Sequence, residues 1–220
     1  MLSSYSVFRA MVMPASFLVV LFYAIYLVVR NGVISYQKAS GLAMFSGIVI
    51  FCFYSFIRLK EMLPVEEYGY DAIFFILLIL CFAWGGDTCA YFAGRAFGKH
   101  KLCPVVSPKK TVEGAVGGVL GTMVFGVLIT VIYSIAADRM EEFTRSNIGV
   151  SMYVIIALLA CVAAVLGIYG DLFASVVKRQ CGIKDYGTIF PGHGGILDRF
   201  DSVMFIAPFV TMVVIAAFYN

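Results

Sequence analysis

Three aspartates near the end of the chain have the spacing of a candidate metal site. Asp198 and Asp201 are three residues apart at the predicted start of a helix, so their carboxylates should project together. Asp171, Ser175 and Lys178 follow at spacings of four and three residues on the preceding predicted helix and would share one face. Hard carboxylate oxygens, without a cluster of thiolates or histidines, suit Mg²⁺. We therefore expect magnesium at Asp171, Asp198 and Asp201, with room for a second cation.

A structural alternative is an ion-pair network in which these carboxylates neutralise nearby basic side chains, namely Lys178, Arg179, Lys184 and Arg199. That alternative leaves the glycine-rich run at residues 191–195 unexplained. Glycine lets the backbone approach a ligand closely, and polar backbone next to a bilayer has to be satisfied by protein or ligand groups. The pattern therefore favours a functional site.

A polar stripe is predicted along an earlier apolar helix. Asp87, Tyr91 and Arg95 recur every four residues and would lie on one face. A carboxylate inside an apolar span costs about 2.5–3.5 kcal/mol on insertion scales unless a cation or a proton compensates it. An internal pair of Asp87 with Arg95 that only fixes helix packing explains the stripe as well as a functional role does.

A third polar segment, residues 107–114, contains Ser107, Lys109 and Lys110 where the next helix is predicted to begin. A helix start offers free N–H groups to a phosphate. Two simpler explanations are open, an N-cap at Thr111 and a basic patch that faces anionic headgroups. Overlapping GxxxG spacings in residues 114–121 predict close helix packing and leave room for a homodimer.

These candidate residues lie in an otherwise apolar chain. Its 220 residues are 62% hydrophobic and 13% charged, against roughly 45–50% and 25% in soluble domains. The surplus of apolar side chains requires lipid, and the composition excludes a disordered chain, a fibrous repeat and a nucleic-acid-binding module. The six cysteines form no CxxC pair, so a disulfide framework or zinc site is not expected.

Six stretches are long and apolar enough for spanning helices, which need about 20 residues each. Continuous apolar runs do not fit the alternating pattern of a membrane barrel. The sequence therefore predicts an all-α integral membrane protein, a polytopic bundle of about six transmembrane helices. The predicted spans are residues 12–29, 39–57, 72–93, 115–136, 150–170 (with the helix continuing to 177) and 202–218.

Charged residues predict the orientation of the bundle. If the loops alternate, eleven of the 16 basic residues fall on one side, mostly in loops 94–114 and 178–201, and basic loops tend to stay in the cytoplasm. Six of the 13 acidic residues lie in or beside these two loops, whereas the other seven, Asp71 among them, are interpreted as solvated external charges. We expect a polar active-site cavity on the cytoplasmic side and both termini outside.

The second basic loop contains a long motif. It reads Ser175-x-x-Lys178-Arg179-x4-Lys184-Asp185-x-Gly187-x-x-Phe190-Pro191-x-His193-Gly194-Gly195-Ile196-x-Asp198-Arg199-Phe200-Asp201 and resembles the signature of CDP-diacylglycerol synthases, also called phosphatidate cytidylyltransferases. The segments around Asp87 and at residues 107–114 resemble the same family, so the resemblance covers residues 71–220. Bacterial members usually have more spans before the Asp87 region. We therefore expect N-terminal transmembrane helices at residues 1–70, shortened relative to the family, and a catalytic transmembrane domain at 71–220.

The resemblance implies transfer of a cytidylyl group from CTP to phosphatidic acid, with release of pyrophosphate, at the bacterial plasma membrane. It implies that Asp171, Asp198 and Asp201 bind the metal, and that Lys178 and Arg199 act with them in catalysis. Substrate-binding roles are implied for Ser107, Lys109, Lys110, Ser175, Arg179, Lys184, His193, Gly194, Gly195, Asp87, Tyr91 and Arg95.

Two other classes of protein fit parts of the pattern. A CTP-dependent enzyme that acts on another lipid, such as an archaeol phosphate cytidylyltransferase or a polyprenol kinase, would share the charged face and differ in the lipid groove. An ion or phosphate transporter would also have Asp and Arg within its spans. It predicts polar residues that continue to the external face, where these spans are nearly uncharged.

Overall fold

The computed structural model describes residues 18, 21–26, 28–29, 36–139, 149–189 and 194–218. The chain forms two compact units, Met1–Ile48 and Val49–Asn220. In the first unit, the described residues of the predicted span 12–29 are helical, and residues 12–17, 19, 20 and 27 lie outside the described part. All residues of the candidate site belong to the second unit.

Helices dominate the described part of the chain, and four of them contain stretches long and apolar enough to cross a membrane. This confirms the prediction of an all-α membrane protein. The helix bounds are α1 Tyr36–Met62, α2 Val65–Tyr68, α3 Asp71–Phe97, α4 Val112–Arg139, α5 Val150–Gln180 and α6 Val203–Phe218; the strands are β1 Lys101–Cys103 and β2 Ser107–Thr111. The four spanning candidates lie in α1, α3, α4 and α5. Helix α6 has only 16 residues, which at 1.5 Å per residue reach about 24 Å, less than the ~30 Å hydrocarbon layer.

Glycines on α4 allow it to pack closely against α3. A Cβ atom added at Gly114 would lie 2.8 Å from the carbonyl oxygen of Ala90, and one at Gly118 would lie 3.0 Å from the Ala90 Cβ atom. At Gly121 an added Cβ would overlap the side chain of Cys89. The predicted close packing is therefore confirmed, with α3 of the same chain as the partner. A homodimer stays a prediction.

Apolar packing holds α6 against its neighbours. Leu78 on α3, Ile156 on α5 and Ile206 on α6 are at most 1% exposed. The hydroxyl of Thr211 on α6 also donates a 3.3 Å hydrogen bond to the carbonyl of Ser55 on α1. Because α6 is fixed in this way, the polar residues immediately before it are held close to the ends of α3 and α5.

Asp71, in the first turn of α3, is buried, whereas the sequence suggested a solvated carboxylate. It is 1% exposed and accepts a 2.7 Å hydrogen bond from the hydroxyl of Tyr133 on α4. The prediction is wrong because only the packed structure brings the last turns of α4 beside the first turn of α3. A buried carboxylate is retained where it is hydrogen-bonded, and this one joins the two helices at the end opposite to their connection.

Candidate active site

The connection between α3 and α4, residues 98–111, forms a β-hairpin that we call the α3–α4 hairpin. Its two strands are antiparallel, with Lys101 opposite Thr111. Thr111 Oγ1 accepts a 3.1 Å hydrogen bond from the N–H of Gly114, which confirms the N-cap interpretation. The chain therefore enters α4 from a strand, and three predicted substrate-binding residues lie on β2 and not in the first helical turn: Ser107, Lys109 and Lys110.

Glu113, in the first turn of α4, ties the hairpin to the end of α3. Its carboxylate accepts hydrogen bonds from the backbone N–H groups of Lys99 at 3.1 Å and His100 at 3.2 Å. The same carboxylate lies 2.6 Å from His100 Nδ1. Residue 98 must also be a glycine, since a Cβ atom added there would lie 2.8 Å from Cγ2 of Thr111. These contacts fix the base of the hairpin on both sides.

One side of the hairpin faces α5. Lys110 Nζ lies 2.6 Å from Asp171 Oδ2, and Ser175 Oγ donates a 3.3 Å hydrogen bond to Asp171 Oδ1. The second contact confirms that residues four apart on α5 share a face. Lys109 is exposed. Because neighbouring side chains of a strand point in opposite directions, Lys110 is the lysine of this pair that reaches α5.

Lys178, near the end of α5, contacts two carboxylates of the α5–α6 connection. Its Nζ atom lies 2.9 Å from Asp198 Oδ1 and 3.9 Å from Asp201 Oδ2. The other oxygen of Asp198 accepts hydrogen bonds from the N–H groups of Tyr186 at 2.8 Å and Gly195 at 2.9 Å. Burial alone would raise the pKa of Asp198, but these hydrogen bonds and the lysine charge outweigh it and lower the pKa below its ordinary value. Asp198 is therefore held in its ionised form.

The sequence suggested that Asp198 and Asp201 lie at the start of the last helix, but the structure places both aspartates before it. Asp198 is in the 3₁₀ turn Leu197–Arg199, and α6 begins two residues after Asp201. Their carboxylates still meet at one lysine because the chain turns sharply before them. Gly194 has a φ angle of 81°, and a Cβ there would lie 2.9 Å from Asp198 Oδ2. The prediction that Asp198 and Asp201 lie close together is therefore correct, but the helical spacing on which it was based is not present.

Two further carboxylates surround Asp201. Ser202 Oγ donates a 3.0 Å hydrogen bond to Asp87 Oδ2, and the Ser202 N–H donates at 2.9 Å to Asp201 Oδ1. Burial, followed by the negative charges of Asp171 and Asp87, raises the pKa of Asp201 to about 7, although Lys178 opposes this rise. Negative charge is therefore in excess here, as is typical of a site that binds cations.

The outer part of the predicted polar stripe on α3 has a different environment. Arg95 Nη1 donates a 3.4 Å hydrogen bond to the hydroxyl of Tyr91, which is 60% exposed. Asp87 is bound by Ser202 and forms no ion pair with Arg95 within the part of the chain that the structure describes. The alternative of an internal pair between Asp87 and Arg95 is therefore wrong.

Of the remaining predicted residues, His193 lies outside the part of the chain that the structure describes. Gly195 packs against Gly187, since a Cβ added at Gly195 would lie 2.9 Å from the Gly187 nitrogen. Several basic side chains are exposed to solvent, namely Lys109, Arg179, Lys184 and Arg199.

Three contributors were missed in the sequence. The hydroxyl of Tyr186 donates to the Ala174 carbonyl at 3.0 Å, and its ring centroid lies 5.2 Å from Lys178 Nζ. Ser202 joins two carboxylates, and Trp84 Nε1 donates a 3.0 Å hydrogen bond to the carbonyl of Arg199. Tyr186 stands inside the charged motif and Ser202 directly follows it, and these positions were the only signals available.

The donor set has the chemistry that a hard cation such as Mg²⁺ requires, since it consists of the carboxylates of Asp87, Asp171, Asp198 and Asp201. Within residues 36–139, 149–189 and 194–218, however, no three His, Cys, Asp or Glu side chains are grouped as a metal site. Asp198 has both oxygens engaged by nitrogen donors. The excess of negative charge at Asp87, Asp171 and Asp201 is the feature that fits a cation.

An apolar cleft opens beside the polar cluster. Asp87 and Ser202 lie in its wall, and glycines from three helices, Gly86, Gly118 and Gly167, make up part of the remainder. Small residues leave space between the helices at this point. The cleft is narrow, and it lies directly beside the carboxylate of Asp87 and the hydroxyl of Ser202.

Comparison with known proteins identifies the family to which the chain belongs. The family model for the cytidylyltransferase family matches residues 1–217. A protein of Bacillus subtilis (strain 168), named phosphatidate cytidylyltransferase, is 32% identical over 211 residues, which are 94% of this chain and 71% of the relative. Proteins with the same name from Staphylococcus saprophyticus and Staphylococcus aureus (strain COL) are 41% and 39% identical over 145 residues, or 66% of this chain and 50% of each relative.

The chain therefore belongs to the cytidylyltransferase family. This confirms the resemblance seen in the charged motif and in the segments around Asp87 and residues 107–114. The chain spans about half the length of the staphylococcal relatives.

Proposed function

We propose that this chain transfers the cytidylyl group of CTP to the phosphate of phosphatidic acid, forming CDP-diacylglycerol and releasing pyrophosphate. Its relatives from Bacillus and Staphylococcus are named for this activity. The observation that carries the proposal is the meeting of two charged segments. Lys110 of the hairpin contacts Asp171 of α5, and Lys178 contacts Asp198 and Asp201.

The reaction requires charge neutralisation more than proton transfer. The second pKa of a phosphate monoester is about 6, so the lipid phosphate is largely a dianion at pH 7 and needs no strong base. One of its oxygens forms a bond to the α-phosphorus of CTP, and the bond from that phosphorus to the bridging oxygen of pyrophosphate breaks. Fixed cations stabilise the charge that gathers on the leaving group and allow two polyanions to approach.

The basic side chains divide into two groups for this task. Lys110 and Lys178 are held by carboxylates and would act at the reacting phosphates. The exposed cations would bind the outer phosphates of CTP or the lipid headgroup: Lys109, Arg179, Lys184 and Arg199. Ser107, Ser175 and His193 would position the phosphates. The acyl chains would enter sideways between helices and leave the reacting phosphate at the end of the bundle where Asp87 and Ser202 lie.

Magnesium is proposed as the cofactor, with room for a second cation. Asp171 and Asp201 would hold it with Asp87 in support, and Asp198 would join them on release from Lys178. When bound, the ion supplies positive charge to the α-phosphate and the leaving pyrophosphate. Without it, Lys110 and Lys178 keep the same carboxylates from repelling one another.

We further propose that the protein lies in the bacterial plasma membrane with this site facing the cytoplasm. The basic residues of loops 94–114 and 178–201 support that orientation. CTP is a cytoplasmic nucleotide, so the orientation agrees with the proposed substrate.

The test is a CTP-dependent assay with purified full-length protein in lipid nanodiscs. CTP labelled at the α-phosphate is supplied with Mg²⁺ and one lipid at a time: phosphatidic acid, archaeol phosphate or a polyprenol. We expect labelled lipid and pyrophosphate with phosphatidic acid. Labelled lipid only with archaeol phosphate, or CDP release with a polyprenol, would overturn the proposal. Phosphate flux in proteoliposomes without CTP turnover would favour a transporter instead.

A further inference from the structure

The tip of the α3–α4 hairpin is apolar, although a tight turn outside the membrane is normally polar. Residues 102–106, Leu-Cys-Pro-Val-Val, form an uninterrupted apolar run that comprises the last two residues of β1 and the whole turn before β2. Val105 at the turn is 92% exposed. Single exposed apolar residues need no explanation, but a continuous apolar turn suggests a partner. The candidate active site uses none of these five side chains.

The charges around this tip have one sign. Residues 98–111 include four lysines and no aspartate or glutamate. Lys110 is bound to Asp171, whereas Lys99, Lys101 and Lys109 are exposed. An apolar tip with a rim of exposed lysines is complementary to an anionic lipid surface, where apolar groups reach the acyl boundary and lysines meet the headgroups.

The hairpin is short and lies between two candidate membrane-spanning helices. It connects two helices that are both long and apolar enough to span a membrane. Both of its ends carry exposed apolar side chains, Phe97 at 71% and Val112 at 42%. Strand β1 has three residues, about 10 Å at ~3.4 Å per residue, which is similar to the headgroup layer of about 5–8 Å on each side of the bilayer.

We propose that the tip of the α3–α4 hairpin inserts into the interfacial layer of the surrounding bilayer. Val105 lies among the upper acyl carbons, and Lys101 and Lys109 lie at anionic headgroups. The hairpin is fixed to α4 at Thr111 and Glu113. Its insertion therefore also sets the depth of Lys110 relative to the lipid phosphates. This proposal concerns lipid contact and does not depend on the reaction that the site catalyses.

The experiment places a tryptophan at the tip of the full-length protein. Val105→Trp is reconstituted in nanodiscs of phosphatidylcholine and phosphatidylglycerol, and the emission it adds to that of native Trp84 is measured. Lipids brominated at upper acyl carbons report insertion, and iodide reports exposure to water. The matched control is Ile183→Trp, since Ile183 is 40% exposed in the α5–α6 connection. A second variant adds Lys101→Gln to Val105→Trp.

We expect the brominated lipids to remove about half of the emission added at residue 105 and iodide to remove little, because interfacial segments bury their apolar groups ~5–10 Å deep. The control should show the reverse. Lys101→Gln should weaken the lipid quenching in anionic discs and leave it unchanged in discs of phosphatidylcholine alone. If iodide and not the brominated lipid quenches the fluorescence added by Val105→Trp, the proposal is overturned and a protein partner is favoured. Equal lipid quenching at both positions would overturn it too, since mere proximity to the bilayer would then suffice.

Discussion

The α3–α4 hairpin and the α5–α6 connection, residues 181–202, hold their charged side chains in different ways. The hairpin is regular: paired strands, a helix cap and the Glu113 carboxylate fix its base. In the described part of the α5–α6 connection, the only regular element is a 3₁₀ turn. Asp198 is positioned there by Lys178 and by two backbone N–H groups.

The difference shows how far each position depends on its own contacts. Lys110 is presented by a strand that pairs with β1 and ends in the cap at Thr111, so its position does not depend on Asp171 alone. Asp198 lies on irregular backbone, and its position depends on Lys178 and two backbone N–H groups. We therefore expect the carboxylates to be the most sensitive positions and the supports of the hairpin to be less so.

The largest effect is expected at the α5–α6 connection. Asp198→Asn removes the negative charge that binds Lys178 and is a candidate metal ligand. We expect CDP-diacylglycerol formation to fall by at least about 100-fold, as when a preorganised charge is lost from other active sites. The protein should still insert into membranes. Asp138→Asn, an exposed carboxylate at the far end of α4, is the control. Near-normal turnover of Asp198→Asn would contradict the metal assignment.

The two lysines of β2 provide a matched pair. Lys110→Gln removes the cation that contacts Asp171 at 2.6 Å, and we expect kcat to fall by about 10- to 100-fold because transition-state charge is left unbalanced. Lys109→Gln alters an exposed side chain and should raise KM by only a few-fold. Steady-state kinetics with CTP and phosphatidic acid separates the two. Equal losses would mean that the strand does not select one lysine for the site.

A smaller effect is expected from the support of the hairpin. Glu113→Gln keeps an oxygen for the N–H groups of Lys99 and His100 but loses the charge that pairs with the imidazole. We expect kcat to fall about three- to tenfold, because small displacements of positioned groups slow a reaction. His100→Ala leaves both backbone hydrogen bonds and should have a weaker effect. If Glu113→Gln leaves kcat unchanged while proteolysis at Lys101 accelerates, the hairpin does not have to be fixed for catalysis.

The opposite end of α3 and α4 should matter for stability and not for turnover. Tyr133→Phe removes the 2.7 Å hydrogen bond to buried Asp71 and should cost about 1–3 kcal/mol of unfolding free energy. The stacked contact of residue 133 with Phe74 is retained. Thermal unfolding in detergent measures the loss, and activity is assayed on the folded fraction at low temperature. Reduced kcat in folded protein would show that function extends to this end.

Much of the candidate site was predictable because its residues are unusual for a membrane protein. Asp87 and Asp171 stand in or beside apolar runs where a carboxylate is costly, and the charged motif is long. Residues four apart on α5 could be paired from helical spacing alone, as Ser175 and Asp171 show. Close packing of α3 and α4 was likewise predictable, since the glycine spacing of α4 has one simple physical meaning.

Other features could not be predicted because they depend on chain segments distant in sequence. Asp71 resembles any loop carboxylate until α4 brings Tyr133 beside it, 62 residues away. Ser202 acquires its role only because α6 places it against Asp87, 115 residues earlier. The strand at residues 107–111 was missed because its hydrogen bonds come from residues that have no strand signal of their own.

The amino-acid sequence by itself determined that this protein lies in lipid, that it is helical, to which family it belongs and which side chains can carry charge at its site. Those properties depend on composition and on local spacing, which are present in the unfolded chain. Only the tertiary structure decided which lysine meets which carboxylate, and that Asp71 is buried and hydrogen-bonded at the far end of α3 and α4. Coulombic and hydrogen-bond energies depend on distances of a few ångströms, and such distances between remote residues exist only after the helices have packed.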